Sequence, residues 1–353
     1  MTKDAKSKAT SSARLTKELA SPVSINAPSE GCAEKTHSVV SFFCGCGGLD
    51  LGFRGDFTYK DEHFDRTKFE IIKAYDFNKD AIATYQANIS NHAEQLDLSD
   101  YDVKKVPCAD ILIGGFPCQD FANCGPRRGL KSKRGRLYKA MIKYAKTYQP
   151  LLMIGENVPG LETIGKGKVL ETIVNDIKKT GYAVEIWRLF APDFGVPQTR
   201  RRLIIVAVRN DIFAQYGLPK KPEPLLDKEK YRTTKWAIGD LEGINDNSVP
   251  NQAQFSRATL ATGGTGQGDD VCHADAPSYT IRANSKGRVE FHYSLKRRLT
   301  VRECARIQTF PDDFVFPHNN VCTNILEIGN AVPPILGNVI ANSIQNFLED
   351  VNV

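Results

Sequence analysis

Short apolar runs alternate with amphipathic segments along the first two thirds of the chain. The runs are rich in β-branched and aromatic residues, which favours buried strands, whereas the intervening segments repeat apolar residues at helical spacing. Strands that alternate with helices predict an α/β fold in which the carboxyl ends of the strands line one crevice. The predicted strands are 39–43, 69–75, 109–113, 150–155, 182–190 and 203–208. The predicted helices are 78–88, 136–148 and 168–179.

This alternation ends after Asn210, which predicts a change of domain. Polar residues dominate 245–288, a composition typical of loops that is also able to reach base edges by hydrogen bonds. Thr300 and Glu303 have the spacing of a capping box, and apolar residues along 335–348 predict a closing helix that packs on the first domain. We expect a disordered tail at 1–37, a catalytic domain at 38–215, a smaller recognition domain at 216–324 and the returning helix within 325–353.

Composition narrows the class of protein. The chain is 41% hydrophobic and 25% charged with a net charge of +6, which is typical of a globular protein and permits nucleic acid as a partner. No apolar run approaches the length of a membrane span, and residues 1–37 lack the apolar core of a signal peptide. The nine cysteines include no CxxC pair, so we expect intracellular thiols, no disulfide framework and no metal site.

Cys118 follows the strand predicted at 109–113 and is our candidate nucleophile. Pro117 fixes its own backbone and biases Phe116 toward an extended conformation, while Gly114 and Gly115 permit close approach of a ligand. This restricted backbone would hold the thiol of Cys118 in one orientation. The alternative is a buried cysteine that serves as a small hydrophobic residue.

Glycines and acids follow two further strands. The turn Cys44-Gly-Cys-Gly-Gly-Leu-Asp-Leu-Gly52 is of the kind that opens nucleotide-cofactor sites, although a tight surface turn has the same composition. Asp76 follows the second strand, where a carboxylate can accept from ribose hydroxyls, and Phe77 can stack on a purine. An ordinary acid at a helix start is the alternative for Asp76. Asp97 is a third such acid, able to accept from an adenine amino group.

Charged residues gather near the later strands. Glu156 ends the strand at 150–155, so its carboxylate is expected to face the same crevice as Cys118, unless Glu-Asn is only a turn. Gln198, Arg200 and Arg202 alternate with period two, which on a strand gives one face of donors that need polar partners or an exposed edge. Six basic residues stand among glycines at 125–136, and we interpret this segment as a mobile loop that contacts phosphates.

In this order, the motifs resemble those of the C5-cytosine DNA methyltransferase family, from Val39 to the C-terminus. Each motif is weak alone, and the ordered set carries the resemblance. The motifs are Phe43-x-Gly-x-Gly-Gly48, Asp76-Phe77, Asp97-Leu98, Gly115-Phe-Pro-Cys-Gln119, Glu156-Asn-Val158, Gln198-x-Arg-x-Arg202, Arg298-Leu-Thr-x-Arg-Glu303 and Gly329-Asn-x-Val-Pro333.

The resemblance implies a Rossmann-like sheet that binds S-adenosylmethionine, joined to a smaller target-recognition domain. Phe43 and Gly47 would lie near the methionine part, Asp76 on the ribose and Phe77 on the adenine. The other implied cofactor residues are Gly45, Gly48, Leu49, Asp97, Leu98, Pro117 and Asn330.

The resemblance also implies that a cytosine flipped out of duplex DNA is methylated at C5. Cys118 would add to C6, while Glu156 shares a proton with N3 and Arg202 hydrogen-bonds O2; Arg200 belongs to the same catalytic set. The implied DNA contacts are Gln119, Arg127, Arg128, Arg134, Gln198 and Thr280. We further expect a bacterial restriction-modification function with a separate cognate restriction endonuclease. A monomeric state and a cytoplasmic, nucleoid-associated location are also expected.

Three departures and three alternatives accompany this interpretation. Ser41 stands where an acid is common in the family, Phe77 where tryptophan is common and Ala122 where serine is common, and none of these removes a catalytic group. An RNA cytosine methyltransferase would use the same chemistry. A nucleotide-dependent oxidoreductase would leave Glu156 and the arginine row unexplained, and a non-catalytic DNA-binding protein would not need Cys118.

Overall fold

The computed structural model describes residues 35–117, 137–258 and 268–351. The tail predicted at 1–37 therefore lies almost entirely outside the described residues. The strands are β1 (His37–Phe42), β2 (Phe57–Tyr59), β3 (Glu62–Phe64), β4 (Phe69–Asp76), β5 (Ala93–Gln95), β6 (Ile111–Gly114), β7 (Leu152–Asn157), β8 (Tyr182–Phe190) and β9 (Arg201–Arg209). The helices are α1 (Gly48–Arg54), α2 (Lys79–Asn88), α3 (Lys139–Tyr148), α4 (Gly160–Thr163), α5 (Lys168–Lys178), α6 (Asn210–Tyr216), α7 (Thr234–Ile238), α8 (Val301–Ile307), α9 (Val321–Asn330) and α10 (Pro334–Asp350).

Within the described ranges, seven strands form one sheet in the order β5-β4-β1-β6-β7-β9-β8. The first five of these are parallel, whereas β9 runs antiparallel to both β7 and β8. The chain builds outward from β1 through β4 to β5, and then returns to the other side of β1 with β6. Loops after β1 and β6 therefore diverge, which opens a crevice at the carboxyl ends of the strands. The predicted α/β class and sheet are confirmed.

Alternate residues of the central strands enter two apolar layers. Ile111 and Ile113 face one layer, which includes residues of α1 and α10, and Leu112 faces the other, which includes residues of α3 and α5. A strand covered on both faces has no polar side, which explains why β6 and β7 as far as Gly155 are continuous apolar runs. Leu299, from the stretch predicted as a second domain, joins the first layer. The predicted boundaries at 215/216 and 324/325 stay predictions.

The local signals for helix ends agree with the structure in two places. Asn78 caps α2 by accepting from the amide N–H of Asp80. Thr300 and Glu303 form the predicted capping box at the start of α8, in which each side chain accepts from the other residue's backbone N–H. Both pairs satisfy amides that have no partner inside their helices, which fixes where these helices begin.

The polar alternation at 198–202 extends further than the strand on which it ends. β9 starts at Arg201, so Gln198 and Arg200 precede the strand rather than lie on it. All three side chains of the predicted row are nevertheless on the inner side, because Gln198 and Arg200 are buried and Arg202 is mostly buried, whereas Thr199 and Arg201 are exposed. The prediction of a shared face is right in direction and wrong in the extent of the strand.

Candidate active site

The loops after β1, β4, β6 and β7 line a cleft of about 990 Å³, together with 280–290 and 326–332. Predicted site residues from distant parts of the chain meet there. Those that line it are Phe43, Gly45, Leu49, Asp76, Phe77, Pro117, Glu156, Arg202, Thr280 and Asn330. The cleft therefore brings together predicted cofactor, catalytic and DNA-contacting residues.

The glycine-rich loop after β1 turns through left-handed backbone conformations at Phe43, Gly45 and Gly47. A Cβ at Gly47 would approach the Ile89 side chain to 2.3 Å, and one at Gly48 would approach the Val332 carbonyl oxygen to the same distance. Gly47 and Gly48 are therefore needed for close packing beneath the loop, and they are not among the residues that line the cleft. Their predicted contact with a cofactor stays a prediction.

Asp76, the last residue of β4, holds this loop in place by hydrogen bonds. Its carboxylate accepts from the amide N–H of Gly45 at 3.0 Å and from that of Asn78 at 2.8 Å. Burial raises the pKa of the Asp76 carboxyl, against the lowering effect of these backbone donors. The neighbouring ring of Phe77 is 60% exposed. A carboxylate and an accessible aromatic face thus line the cleft as neighbours in the chain.

Asp97 and Leu98 lie just beyond β5 and are absent from the described lining of the cleft. Asp97 is exposed and accepts from the amide N–H of Ser99 at 2.9 Å, whereas Leu98 is buried in the layer that contains Phe42. Their predicted cofactor contacts stay predictions that this geometry does not support directly.

Glu156 and Arg202 form an ion pair inside the cleft. Nε of Arg202 lies 2.5 Å from Oε1 of Glu156, and both side chains are about nine-tenths buried. The Nε–H does not point at the oxygen, so the contact is an ion pair rather than an aligned hydrogen bond. Gly115 lies directly beside this carboxylate, since a Cβ there would be 3.2 Å from Oε2 of Glu156. A carboxylate and a guanidinium thus lie together in the cleft, where both can interact with a polar ligand.

Asn157 positions the segment that leads to Cys118, a role that sequence reasoning did not assign. Its side-chain amide donates to the Phe116 carbonyl at 3.2 Å, and its oxygen accepts from the Val158 amide at 2.9 Å. Pro117, the last described residue before the gap, lines the cleft. The Glu-Asn-Val motif was visible in the sequence, but nothing in it revealed this contact with Phe116.

Five predicted site residues lie outside the described residues. They are Cys118, Gln119, Arg127, Arg128 and Arg134. Their roles stay predictions.

Arg200 and Gln198 connect parts of the protein instead of lining the cleft. The buried guanidinium of Arg200 donates to the carbonyls of Ile281, Gly329 and Ala331. Burial lowers the pKa of Arg200 well below its ordinary value, and the nearby charge of Arg202 acts in the same direction. These contacts favour a positioning role for Arg200 over direct catalysis.

Gln198 is fully buried. Its amide donates to the Ile307 carbonyl at 2.9 Å, and its oxygen accepts from the Ile281 amide at 3.3 Å. The predicted contact of Gln198 with DNA has no geometric support in this structure, because both ends of the amide have partners within the protein.

A buried polar network beneath the glycine loop was also missed. The Asp50 carboxylate accepts from the hydroxyls of Ser41 and Tyr85 at 2.7 and 2.9 Å, and the Tyr85 hydroxyl also contacts His92. Burial raises the pKa of Asp50 to about 6 despite both donors. Asp50 appeared in sequence as one residue of a glycine-rich turn, and no local pattern marks Tyr85 as its partner.

Two thiols line the cleft, those of Cys44 and Cys46. Burial raises the pKa of each well above its ordinary value, and nearby carboxylates add to the effect. Neither thiol is therefore suited to act as a thiolate at neutral pH.

Metal sites and membrane-spanning helices would indicate other classes of function. Among the described residues, no three His, Cys, Asp or Glu side chains are grouped to hold a metal ion. In the same part of the chain, no helix has the length and apolar character needed to cross a membrane.

Comparison with known proteins places these residues in a wider context. Residues 37–346 match the family described as C-5 cytosine-specific DNA methylase. The Type II methyltransferase M.BsuRI of Bacillus subtilis is 33% identical, over 88% of this chain and 79% of its own length. M.MthTI of Methanothermobacter thermautotrophicus is also 33% identical, over 89% of this chain and 98% of its own length.

Solved structures share the fold at lower identity. A DNA modification methyltransferase from a prophage of E. coli, described as putative, superposes with a TM-score of 0.64 at 20% identity, and covers 88% of this chain and 99% of its own. The Dnmt2 methyltransferase of S. pombe superposes with a TM-score of 0.62 at 19% identity, and covers 90% of this chain and 100% of its own.

Proposed function

Because the chain belongs to the family of C-5 cytosine-specific DNA methylases, we propose that it transfers a methyl group from S-adenosylmethionine to C5 of a flipped cytosine through a covalent adduct with Cys118. Its curated relatives are Type II methyltransferases, so the proposed biological role is to protect host DNA from a separate cognate restriction endonuclease. The observation that carries the proposal is the Glu156–Arg202 pair, which shares one cleft with Asp76, Phe77 and Pro117.

One group of residues in the cleft suits S-adenosylmethionine. The Asp76 carboxylate, held by backbone donors, lines the cleft where it can also accept from a ribose hydroxyl, and the exposed face of Phe77 is free to stack on adenine. Phe43, Leu49 and Asn330 line the same cleft. The bound cofactor would supply a methyl group made electrophilic by its sulfonium.

Another group of residues in the same cleft suits attack on a cytosine. Carbon C5 is a poor nucleophile until a thiolate adds to C6, and we assign that addition to Cys118. Glu156 would hold a proton at N3 and Arg202 would donate to O2, which stabilises the enamine as C6 becomes tetrahedral. After methylation, loss of the C5 proton to water and elimination of Cys118 restore the aromatic ring and the thiolate.

Methylation of purified DNA tests this proposal. The protein would be incubated with S-adenosylmethionine and phage DNA, and the nucleosides would be separated by mass spectrometry. We expect 5-methylcytosine and no N4-methylcytosine, and no product with Cys118→Ser. Cys108→Ser, at an exposed cysteine, is the matched control and should keep full activity.

A parallel reaction with transfer RNA separates the two substrates. A higher rate on transfer RNA than on duplex DNA would contradict the proposed substrate. Turnover by the Cys118→Ser variant would contradict the proposed nucleophile.

A further inference from the structure

Segment 280–290 forms one wall of the cleft that contains Glu156. Thr280, Arg282, Asn284, Arg288 and Glu290 all line it. Arg282 is exposed, whereas Glu290 is only 3% exposed. An acid and two arginines therefore face the space proposed for DNA, and the acid is the buried member of the group.

Glu290 lacks the partners that buried carboxylates normally have. Its Oε2 atom has no hydrogen-bond partner among the described residues. Two other atoms without a hydrogen bond in the cleft lining are close to a side chain that can pair with them: Nε of Arg202 lies 2.5 Å from Glu156, and Oε1 of Glu327 lies 3.2 Å from Nε2 of His318. No such ion pair is found for Glu290 in the described part of the chain, so its Oε2 atom is the unmatched acceptor of the wall.

The nearest charges do not replace such a partner. Burial raises the pKa of the Glu290 carboxyl; the backbone N–H of Glu290 itself, Arg282 and Arg298 lower it, and Asp270 raises it further. The guanidinium of Arg298 donates instead to the carbonyls of Ala258, Gly268 and Val289 and to the carboxylate of Asp269. A buried acceptor without a donor is unfavourable unless a ligand supplies one.

We propose that Glu290 is a specificity-determining residue that accepts a hydrogen bond from the N4 amino group of a cytosine in the target sequence, other than the flipped one. This inference rests on the proposed function. A buried carboxylate oxygen without a donor is matched by an N–H group of the ligand, and cytosine N4 is the base-edge donor that acidic side chains pair with. The adjacent Arg282 and Arg288 suit the O6 and N7 acceptors of the guanine paired with that cytosine.

The first arm of the test uses the wild-type protein. Its target is found by sequencing the methylated members of a randomised duplex library, and each target cytosine other than the methylated one is then replaced by pyrimidin-2-one, which lacks the N4 amino group. We expect one position at which this replacement lowers kcat/KM roughly tenfold or more. An unchanged rate at every position overturns the inference without requiring any variant.

The second arm compares Glu290→Ala with Asp270→Ala, a matched loss of an acid at an exposed neighbouring position. Glu290→Ala should relax the sequence preference at the same position and lose the penalty for pyrimidin-2-one. Asp270→Ala should keep both. If Glu290→Ala methylates DNA with the wild-type preference, the inference fails and the proposed function stands. If the wild-type protein methylates no DNA, the proposed function fails and the inference falls with it.

Discussion

Glu156 and Arg202 show how two side chains from antiparallel neighbours make one site. Glu156 lies near the end of β7 and Arg202 near the start of β9, so the antiparallel pairing of these strands brings the two charges together. Each side chain is nearly buried, which strengthens the attraction between them and makes loss of either charge costly. In the proposed reaction, both groups stabilise charge that develops on the cytosine ring.

Substitution Glu156→Gln tests that role. The amide keeps the shape but cannot hold a proton at N3, so we expect kcat for methyl transfer to fall about 100-fold or more, with little change in affinity for S-adenosylmethionine. Glu62→Gln is the control, because Glu62 also lies 2.5 Å from an arginine, Arg232, but outside the cleft. Equal losses in the two variants would contradict a catalytic role for Glu156.

Asp50 makes a separate, pH-dependent contribution to stability. Burial raises the pKa of Asp50 from 3.8 to about 6, so the folded state binds the proton more tightly than the unfolded state. The resulting stabilisation is present below pH 3.8 and is lost as the pH rises through about 6. Ionised Asp50 then remains buried at neutral pH with only the Ser41 and Tyr85 hydroxyls as donors.

Substitution Asp50→Asn removes this titration. The free energy of unfolding of the wild type, relative to Asp50→Asn, should decrease by about 2 kcal/mol between pH 4.5 and 7.5. Urea unfolding at the two pH values measures it, with exposed Asp61→Asn as the control for loss of one negative charge. A difference that does not change with pH would contradict the account of Asp50.

At the scale of elements, the long strands and helices could be predicted because each carries many residues of one period. The predicted strand at 182–190 has the bounds of β8. The hairpin of β2 and β3 was missed because three-residue strands show almost no alternation. Gln198 and Arg200 continue the alternation of β9, but tertiary hydrogen bonds hold both residues outside the sheet, which the alternation alone could not reveal.

The contact between α1 and α10 depends on two glycines that face each other. A Cβ at Gly52 would approach the Pro334 carbonyl oxygen to 2.4 Å and the Gly337 Cα to 2.7 Å. The Asn338 side chain donates to the Gly52 carbonyl at 3.2 Å across the same contact. Because neither Gly52 nor Gly337 has a side chain, α10 can pack closely against α1 beneath the glycine-rich loop.

Substitution Gly52→Ala should lower the free energy of unfolding by about 1–3 kcal/mol, because the added methyl group has no room between the helices. Gly243→Ala is the matched control, since a Cβ there meets nothing within 4 Å, and its effect should stay within about 0.5 kcal/mol. Chemical denaturation of both variants measures this. Equal stabilities would show that α10 adjusts to the methyl group without strain.

At the scale of the whole molecule, Arg200 connects three separate segments. One guanidinium bonds the carbonyl of Ile281, in the wall proposed to read DNA, and the carbonyls of Gly329 and Ala331, which flank Asn330 in the cleft. Arg200 belongs to a motif that is visible in the sequence, but its hydrogen-bond partners belong to segments much further along the chain. This is why sequence reasoning found the residue and did not find its contacts.

Substitution Arg200→Lys tests this connection. One ammonium group cannot reach three carbonyls arranged for a planar guanidinium, so we expect a loss of roughly 2–4 kcal/mol in the free energy of unfolding and a higher KM for DNA. Arg201→Lys, at the exposed neighbour that stacks on Phe190, is the control. Wild-type stability and KM in Arg200→Lys would contradict the positioning role.

The central claim is that Cys118 adds to C6 of the target cytosine. The most direct measurement uses duplex DNA with 5-fluorocytosine at the target position, because fluorine at C5 cannot leave as a proton does and so blocks elimination of the thiolate. With S-adenosylmethionine present, we predict a complex that survives denaturation, with the DNA attached to the peptide containing Cys118 and no complex for Cys118→Ser. An equally abundant complex with Cys118→Ser, or none with a wild-type protein that methylates the unmodified duplex, would contradict the account.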